Sequence, residues 1–289
     1  MRGNEELFPI VEAFGYLHNT DAAGAARSNK LCPFSKTSCE KFRQYKYGYC
    51  SVSYAAESDE GIRRTYAVCD HRLDGDPLRL AISDHFGGMS GVKLVPEVVL
   101  TKPRQSFDYV AIALKGTEIV DQIAIETQAI DIRGGGVGPA WRAWYEGKPH
   151  KWRDYFTTEA TRKGRKDTVA YGVNMANIYK RLGMQVAEKG AFLKRIGIPF
   201  YILTQDLPFR YLQSRIPFEA VGKGKPWDIA FMTFDYSGKS AENGMLDFPH
   251  VQTVRTTVND YTSALTKGTR FLDEKLHFLE RVKRKAQLI

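Results

Sequence analysis

The run Ile123-Ala124-Ile125-Glu126-Thr127-Gln128-Ala129-Ile130 is apolar except at the positions that need explaining. On a strand, residues two apart share a face, so Glu126 and Gln128 project side by side. A carboxylate in such a run is costly unless it is paired or holds a cation. Phe107-Asp108-Tyr109-Val110 sets a second carboxylate at the head of the preceding strand. If the two strands pair, Asp108 and Glu126 converge on one divalent ion. Mg2+ suits that set, because it takes one or two carboxylates, several waters and a phosphate oxygen. Such an ion neutralises charge building on a phosphoryl centre and acidifies an attacking water. Gln128 could orient that water, although unlike a lysine it adds no charge and gives up no proton. Glu97, within Val95-Pro96-Glu97-Val98, could ligate a second metal or hold a water, or equally face solvent. Asp121 is the alternative to Asp108, and Asp131, of opposite parity to Glu126, reads as structural. The bland alternative is that Asp108 opens a strand and Glu126 pairs with a nearby Lys or Arg.

All four cysteines, Cys32, Cys39, Cys50 and Cys69, fall in the first quarter of the chain, spaced C-x6-C-x10-C-x18-C. Four thiolates converging tetrahedrally would bind zinc or iron, and the metal would stand in for a core that so small a region cannot build. With four protein ligands, such a metal has no open position and serves as scaffold. The spacing lacks C-x-x-C pairs, so four ordinary buried thiols remain the competing reading.

The elements that must position these groups follow from periodicity. Leu7, Ile10, Val11 and Phe14 predict a helix over 5–16, followed by short irregular elements over 28–75. Strands are expected at 94–100, 108–114 and, after a Gly116-Thr117 turn, 122–130. The Arg133-Gly134-Gly135-Gly136 run predicts a loop. A basic stretch, 148–166, is expected to lead into a long helix over 169–189, then a buried strand over 198–204. Leu265, Leu272, Leu276 and Leu279 predict a closing helix over 261–285, whose Arg281–Lys285 end reads as solvated. Strands first and then a helix–strand unit describe an α/β (α+β-like) core of a mixed sheet flanked by helices. The expected division is 1–80 for the first segment with its cysteines and 81–289 for the core.

Within 289 residues there is room for one sizeable domain with an elaboration. Neither disorder nor a collagen-like repeat fits 43% hydrophobic and 12% aromatic residues. No apolar run reaches membrane-spanning length and the start lacks a signal-peptide stretch, so the expectation is a soluble, cytoplasmic protein. Lys and Arg exceed Asp and Glu by 42 to 33, for a formal net charge of +9. A basic surface attracts polyanions, nucleic acid among them.

Taken together, the residues resemble the NotI/EagI-type restriction endonucleases, a branch of the P-D…(D/E)-x-K nucleases. The matching pieces are Leu7–Gly15, the four cysteines, Phe107–Val110, Glu126–Asp131, and Val173–Arg181 with Gln185 and Lys189. The likeness spans about residues 5 to 215. It implies a restriction-endonuclease-like core, a four-cysteine site holding iron, and a homodimer that cuts double-stranded DNA. The implied target is a GC-rich palindrome with a GGCC core, cut to leave 5′ extensions and protected in the host by a companion methyltransferase. Asp108, Glu126 and Gln128 map onto the catalytic acid, acid and amide, and Glu97 onto an accessory acid. Gln128 stands where the wider superfamily has a lysine.

Guanine-rich DNA favours Arg and Lys, which reach O6 and N7 in the major groove. Arg133, Arg142, Lys151, Arg153, Arg162, Lys163, Arg165 and Lys166 cluster after the candidate catalytic strand, with phosphate contact the first role to assign. Asn174, Asn177, Lys180 and Gln185 could add backbone contacts from the long helix. Two other classes compete: a non-catalytic metal-stapled DNA-binding module, and a repair or recombination nuclease of the same fold.

Overall fold

The computed structural model describes residues 7–55, 62–102, 104–134, 136–166, 169, 171–267, 280 and 282–286. Its opening is a hairpin, β1 (Ile10–Ala13) and β2 (Tyr16–Leu17), where the sequence predicts a helix. Phe14 and Gly15 form the two-residue turn with φ of 50° and 85°, values no right-handed helix contains. A Cβ at Gly15 would overlap the Pro33 ring, so the turn is locked against the cysteine-bearing loop. Helix α1 (Asp21–Asn29) follows, capped by the Thr20 hydroxyl at 3.3 Å from the Ala23 amide. Helix α2 (Glu40–Tyr45) leads into β3 (Tyr49–Ala55) and β4 (Arg63–Ala67). These strands form a sheet ordered β2-β1-β3-β4, more regular than the irregular region expected.

Helix α3 (Asp76–Phe86) precedes a long antiparallel meander of β5 (Val92–Thr101), β6 (Arg104–Lys115) and β7 (Glu118–Gln128). The three expected strands are present and longer than predicted, so Asp108 lies mid-strand and not at a strand head. The expected loop at 133–136 instead begins as β8 (Ile132–Gly134), which pairs with β9 (Tyr171–Val173). Between them, the basic stretch folds into α4 (Gly138–Tyr145) and α5 (Trp152–Arg162). The long helix therefore starts later than predicted, as α6 (Met175–Asn177), a π turn over Ile178–Leu182, and α7 (Gly183–Arg195). Strand β10 (Phe200–Gln205), α8 (Asp206–Arg215), β11 (Ile229–Phe234), β12 (His250–Thr256) and α9 (Val258–Lys267) complete the description. Leu265 of the expected closing helix packs against the core, while Leu272, Leu276, Leu279 and Arg281 lie outside the described residues.

The main sheet is ordered β12-β11-β10-β7-β6-β5, with β10 parallel to β7 and β11, and the other pairs antiparallel. Helices flank it, which makes the fold a mixed α/β architecture. Alternation along β7 sorts its side chains between two cores. Ile123 and Ile125 join Tyr201, Leu203 and Met232 on the face covered by α3. Ala124 joins Phe200, Ile202 and Phe231 on the face covered by α7, α8 and α9. A Cβ at Gly190 of α7 would meet Ile229 and Val258 at 3.3 Å, so glycine lets that helix lie close to the sheet.

The two sheets are latched together. Ala67, at the end of β4, accepts from the Ile130 amide at 2.9 Å, and its own amide donates to Gln205 Oε1 at 3.0 Å. Buried Glu12 meets Arg72 at 3.2 Å and accepts from the Tyr236 hydroxyl at 2.8 Å. No helix among the described residues is long and apolar enough to cross a membrane.

Candidate active site

Asp108 sits opposite Glu126 because the β6–β7 register pairs Tyr109 with Ile125. Each carboxylate has one oxygen pinned. Asp108 Oδ2 accepts from the Thr127 amide at 2.8 Å and the Thr127 hydroxyl at 3.1 Å, and Oδ1 accepts nothing among the described residues. Glu126 Oε1 lies 2.5 Å from Lys189 Nζ of α7, whereas Oε2 is buried with no hydrogen-bond partner among the described residues. Burial first, and the Asp108 charge second, push the Glu126 carboxyl up to about 7, against the pull of Lys189 and of the Asp108 backbone amide.

A cleft of about 790 Å3 opens over this pair. Gln128 lines it beside Glu126, as strand parity requires, and its amide nitrogen donates to the Ala129 carbonyl at 2.6 Å. Glu97 also lines it, between the Pro96–Tyr109 and Val98–Phe107 pairs and thus next to Asp108. Glu97 has a φ of 51°, a left-handed conformation that an ordinary strand residue avoids. The four acid and amide candidates therefore share one wall. Asp121 does not: its carboxylate holds His85 at 3.1 Å, away from the cleft. Asp131 reaches the rim, where it binds Asn177 and, at 3.2 Å, Arg181.

Sequence reasoning overlooked Asp70 and His71. Asp70 lines the cleft and accepts from the Ala129 amide at 2.6 Å; desolvation raises its pKa, with the Asp108 charge adding to the shift. His71 Nδ1 lies 2.5 Å from Asp74, and that hydrogen bond lifts its pKa to about 10. The signal available was position: both follow Cys69 directly. The ion pair made by Glu126 was foreseen only as the competing, structural reading.

Cys32, Cys39 and Cys50 are buried, Cys69 is partly so, and all four are free thiols. They share one neighbourhood. Cys50 hydrogen-bonds Cys69, which this contact, Lys41 and His71 bring down to about 7. Burial drives Cys39 up to about 11 and Cys32 and Cys69 add to that shift. An all-sulfur set suits a soft scaffold cation such as zinc or iron. Yet no group of three or more His, Cys, Asp or Glu among the described residues is gathered closely enough to hold an ion. Two carboxylates with a free oxygen each still suit Mg2+, which completes its shell with water and phosphate.

None of the eight basic candidates lines the cleft. Arg142 and Lys163 each lie 2.7 Å from Glu159, and Arg162 lies 3.9 Å from it. Arg133, Lys151, Arg153 and Lys166 are exposed, and Arg165 is half-buried. The cations that do line the cleft are Lys41, His71, Arg181 and Lys189. No family model matches the chain, and no curated protein matches it.

Proposed function

We propose that the chain is a Mg2+-dependent endonuclease acting on double-stranded DNA. One observation carries the reading: the buried Oε2 of Glu126, without a hydrogen-bond partner among the described residues, beside the Asp108 carboxylate in an open cleft. Lys189 meets only Oε1, so when the carboxyl ionises its other oxygen favours a second cation. When bound, Mg2+ supplies charge neutralisation at a phosphate and a water of lowered pKa. Thr127 holds Asp108 Oδ2 so that Oδ1 stays available, and Lys189 does the same for the two oxygens of Glu126. Gln128 and Glu97 are placed to orient water at the same wall.

The finer reading follows the family resemblance. It is a type II restriction endonuclease, cytoplasmic and homodimeric, that cuts a CGGCCG-like palindrome with a GGCC core to leave 5′ extensions. Its four cysteines would hold an iron or zinc scaffold ion only by drawing closer together than they stand here, its basic surface contacts phosphates, and a methyltransferase guards the host site. Incubation with Mg2+ and a plasmid carrying CGGCCG tests it. Discrete, site-dependent fragments are expected, lost about 100-fold or more in Asp108→Asn and Glu126→Gln. Nicking of branched DNA without site dependence would place the protein among repair nucleases. Binding without cutting would make it a DNA-binding module. Elemental analysis should find about one iron or zinc per chain.

A further inference from the structure

A second cavity, of about 900 Å3, shares no described residue with the cleft. Glu126 pairs with Ile202 and projects toward α7, whereas Tyr201, the next residue of β10, turns to the core under α3 and lines this second cavity. The two sites therefore open on opposite faces of the main sheet. The rim is the Gly222-Lys223-Gly224-Lys225-Pro226-Trp227 loop that leads into β11. The Lys225 amide donates to the Gly222 carbonyl at 3.1 Å and Gly224 has a φ of 76°, so the loop is a tight turn with Lys223 and Lys225 exposed on it. The Val221 amide ties this turn to the Arg255 carbonyl of β12 at 2.9 Å.

The wall behind the turn is fixed. Asp84 Oδ2 accepts from the Tyr201 hydroxyl at 2.7 Å and from Arg255 Nη2 at 2.6 Å, so its charge is committed to holding Arg255 in place. The guanidinium lies 5.2 Å from the centre of the Trp227 ring, and Arg255 Nε is buried without a hydrogen-bond partner among the described residues. Trp227 stands edge-on to Tyr201, with ring centres 5.5 Å apart, and is half-buried in the cavity lining. Three cations against one committed carboxylate leave an excess of positive charge beside a held indole. Such a pairing suits an anion that also carries a planar ring.

We propose that this cavity is a nucleoside-phosphate site, with the base stacked on Trp227 and the phosphate among Lys223, Lys225 and Arg255. A duplex hides the faces of its bases, so the ligand is a free nucleotide or an unpaired nucleotide of a strand. The site is separate from the cleft and holds whether or not the chain cuts DNA.

The test titrates tryptophan fluorescence with dAMP, with deoxyribose 5-phosphate and with a short thymidine oligonucleotide, all without divalent cation. Trp141, Trp144 and Trp152 are buried, so quenching reports on Trp227. Saturable quenching by dAMP is expected, with the sugar phosphate bound at least about tenfold more weakly because it lacks the stack. K223A/K225A, on an exposed turn that folding does not need, should weaken dAMP about tenfold. Trp227→Leu, followed by calorimetry, should weaken it as much. An oligonucleotide bound about tenfold or more tightly than dAMP identifies a strand as the source, and equal affinity identifies the free nucleotide. Sugar phosphate bound as tightly as dAMP would make this a plain anion site and overturn the proposal. So would the absence of saturable binding of both dAMP and the oligonucleotide. An affinity unchanged in K223A/K225A would place the nucleotide elsewhere and overturn it too, whatever the stability of Trp227→Leu.

Discussion

At Glu126 the two carboxylate oxygens meet different surroundings. Oε1 is neutralised by Lys189, and Oε2 makes no hydrogen bond among the described residues. Burial and the Asp108 charge therefore keep a proton on this group up to about pH 7. The sign of the consequence follows directly. In the cation-free protein, protonated Glu126 favours the fold fully below its ordinary value of 4.5. That contribution disappears as pH rises through about 7. A cation needs the ionised form, so its affinity moves the opposite way and falls as pH drops through the same value. About one tenth of Glu126 is ionised at pH 6, and most of it at pH 8. Mn2+ should accordingly bind about tenfold more weakly at pH 6 than at pH 8. Calorimetric titration measures this, and an affinity flat across that range would show that Glu126 is not a ligand.

The first hairpin shows what one turn does for its neighbours. Phe14 and Gly15 reverse the chain with positive φ at both positions, and Gly15 sits against Pro33, next to Cys32. Gly15→Ala meets two penalties, a disfavoured backbone and an overlap with that ring. A loss of about 2–4 kcal/mol is expected from their sum, read from chemical denaturation; a change within error would mean that the loop gives way freely. Helix α7 is the other decisive element. Its close approach at Gly190 brings the preceding residue, Lys189, down to the β6–β7 wall. The basic stretch is an element too, and not a loop: α5 arrays Arg153 and Arg162 on exposed turns, and Glu159 gathers three neighbouring cations. If this surface tracks phosphates, Lys151→Ala and Lys166→Ala should each flatten the slope of log K for DNA against log salt by about one. Unchanged slopes would place the DNA elsewhere.

Across the whole molecule, the small sheet and the main sheet are joined by polar contacts as well as by a shared core. Arg72 is the centre of the join: it pairs with Glu12 of β1, donates to the Leu246 carbonyl at 2.5 Å and stacks near Phe34, Tyr236 and Phe248. Arg72→Met strands the buried Glu12 carboxylate and should cost about 3–5 kcal/mol in equilibrium unfolding. A loss under about 1 kcal/mol, the scale of an exposed pair, would show that Glu12 finds another partner or a proton. The mixed fold class and the strands at β5, β6, β7 and β10 were legible in the sequence, because alternation between faces is a local property of each strand. The same local rule put Glu126 and Gln128 on one wall. The hairpin at 10–17 was misread because four apolar residues at helical spacing outweighed the Phe14-Gly15 turn, whose conformation depends on packing against Pro33. Asp70 was missed because a carboxylate beside a cysteine carries no periodic signal. The choice of Asp108 over Asp121 rested on a register that only pairing could set. Lys189 lies 63 residues from Glu126 along the chain. Their meeting depends on how α7 packs on the sheet, so it was a decision of the tertiary structure alone.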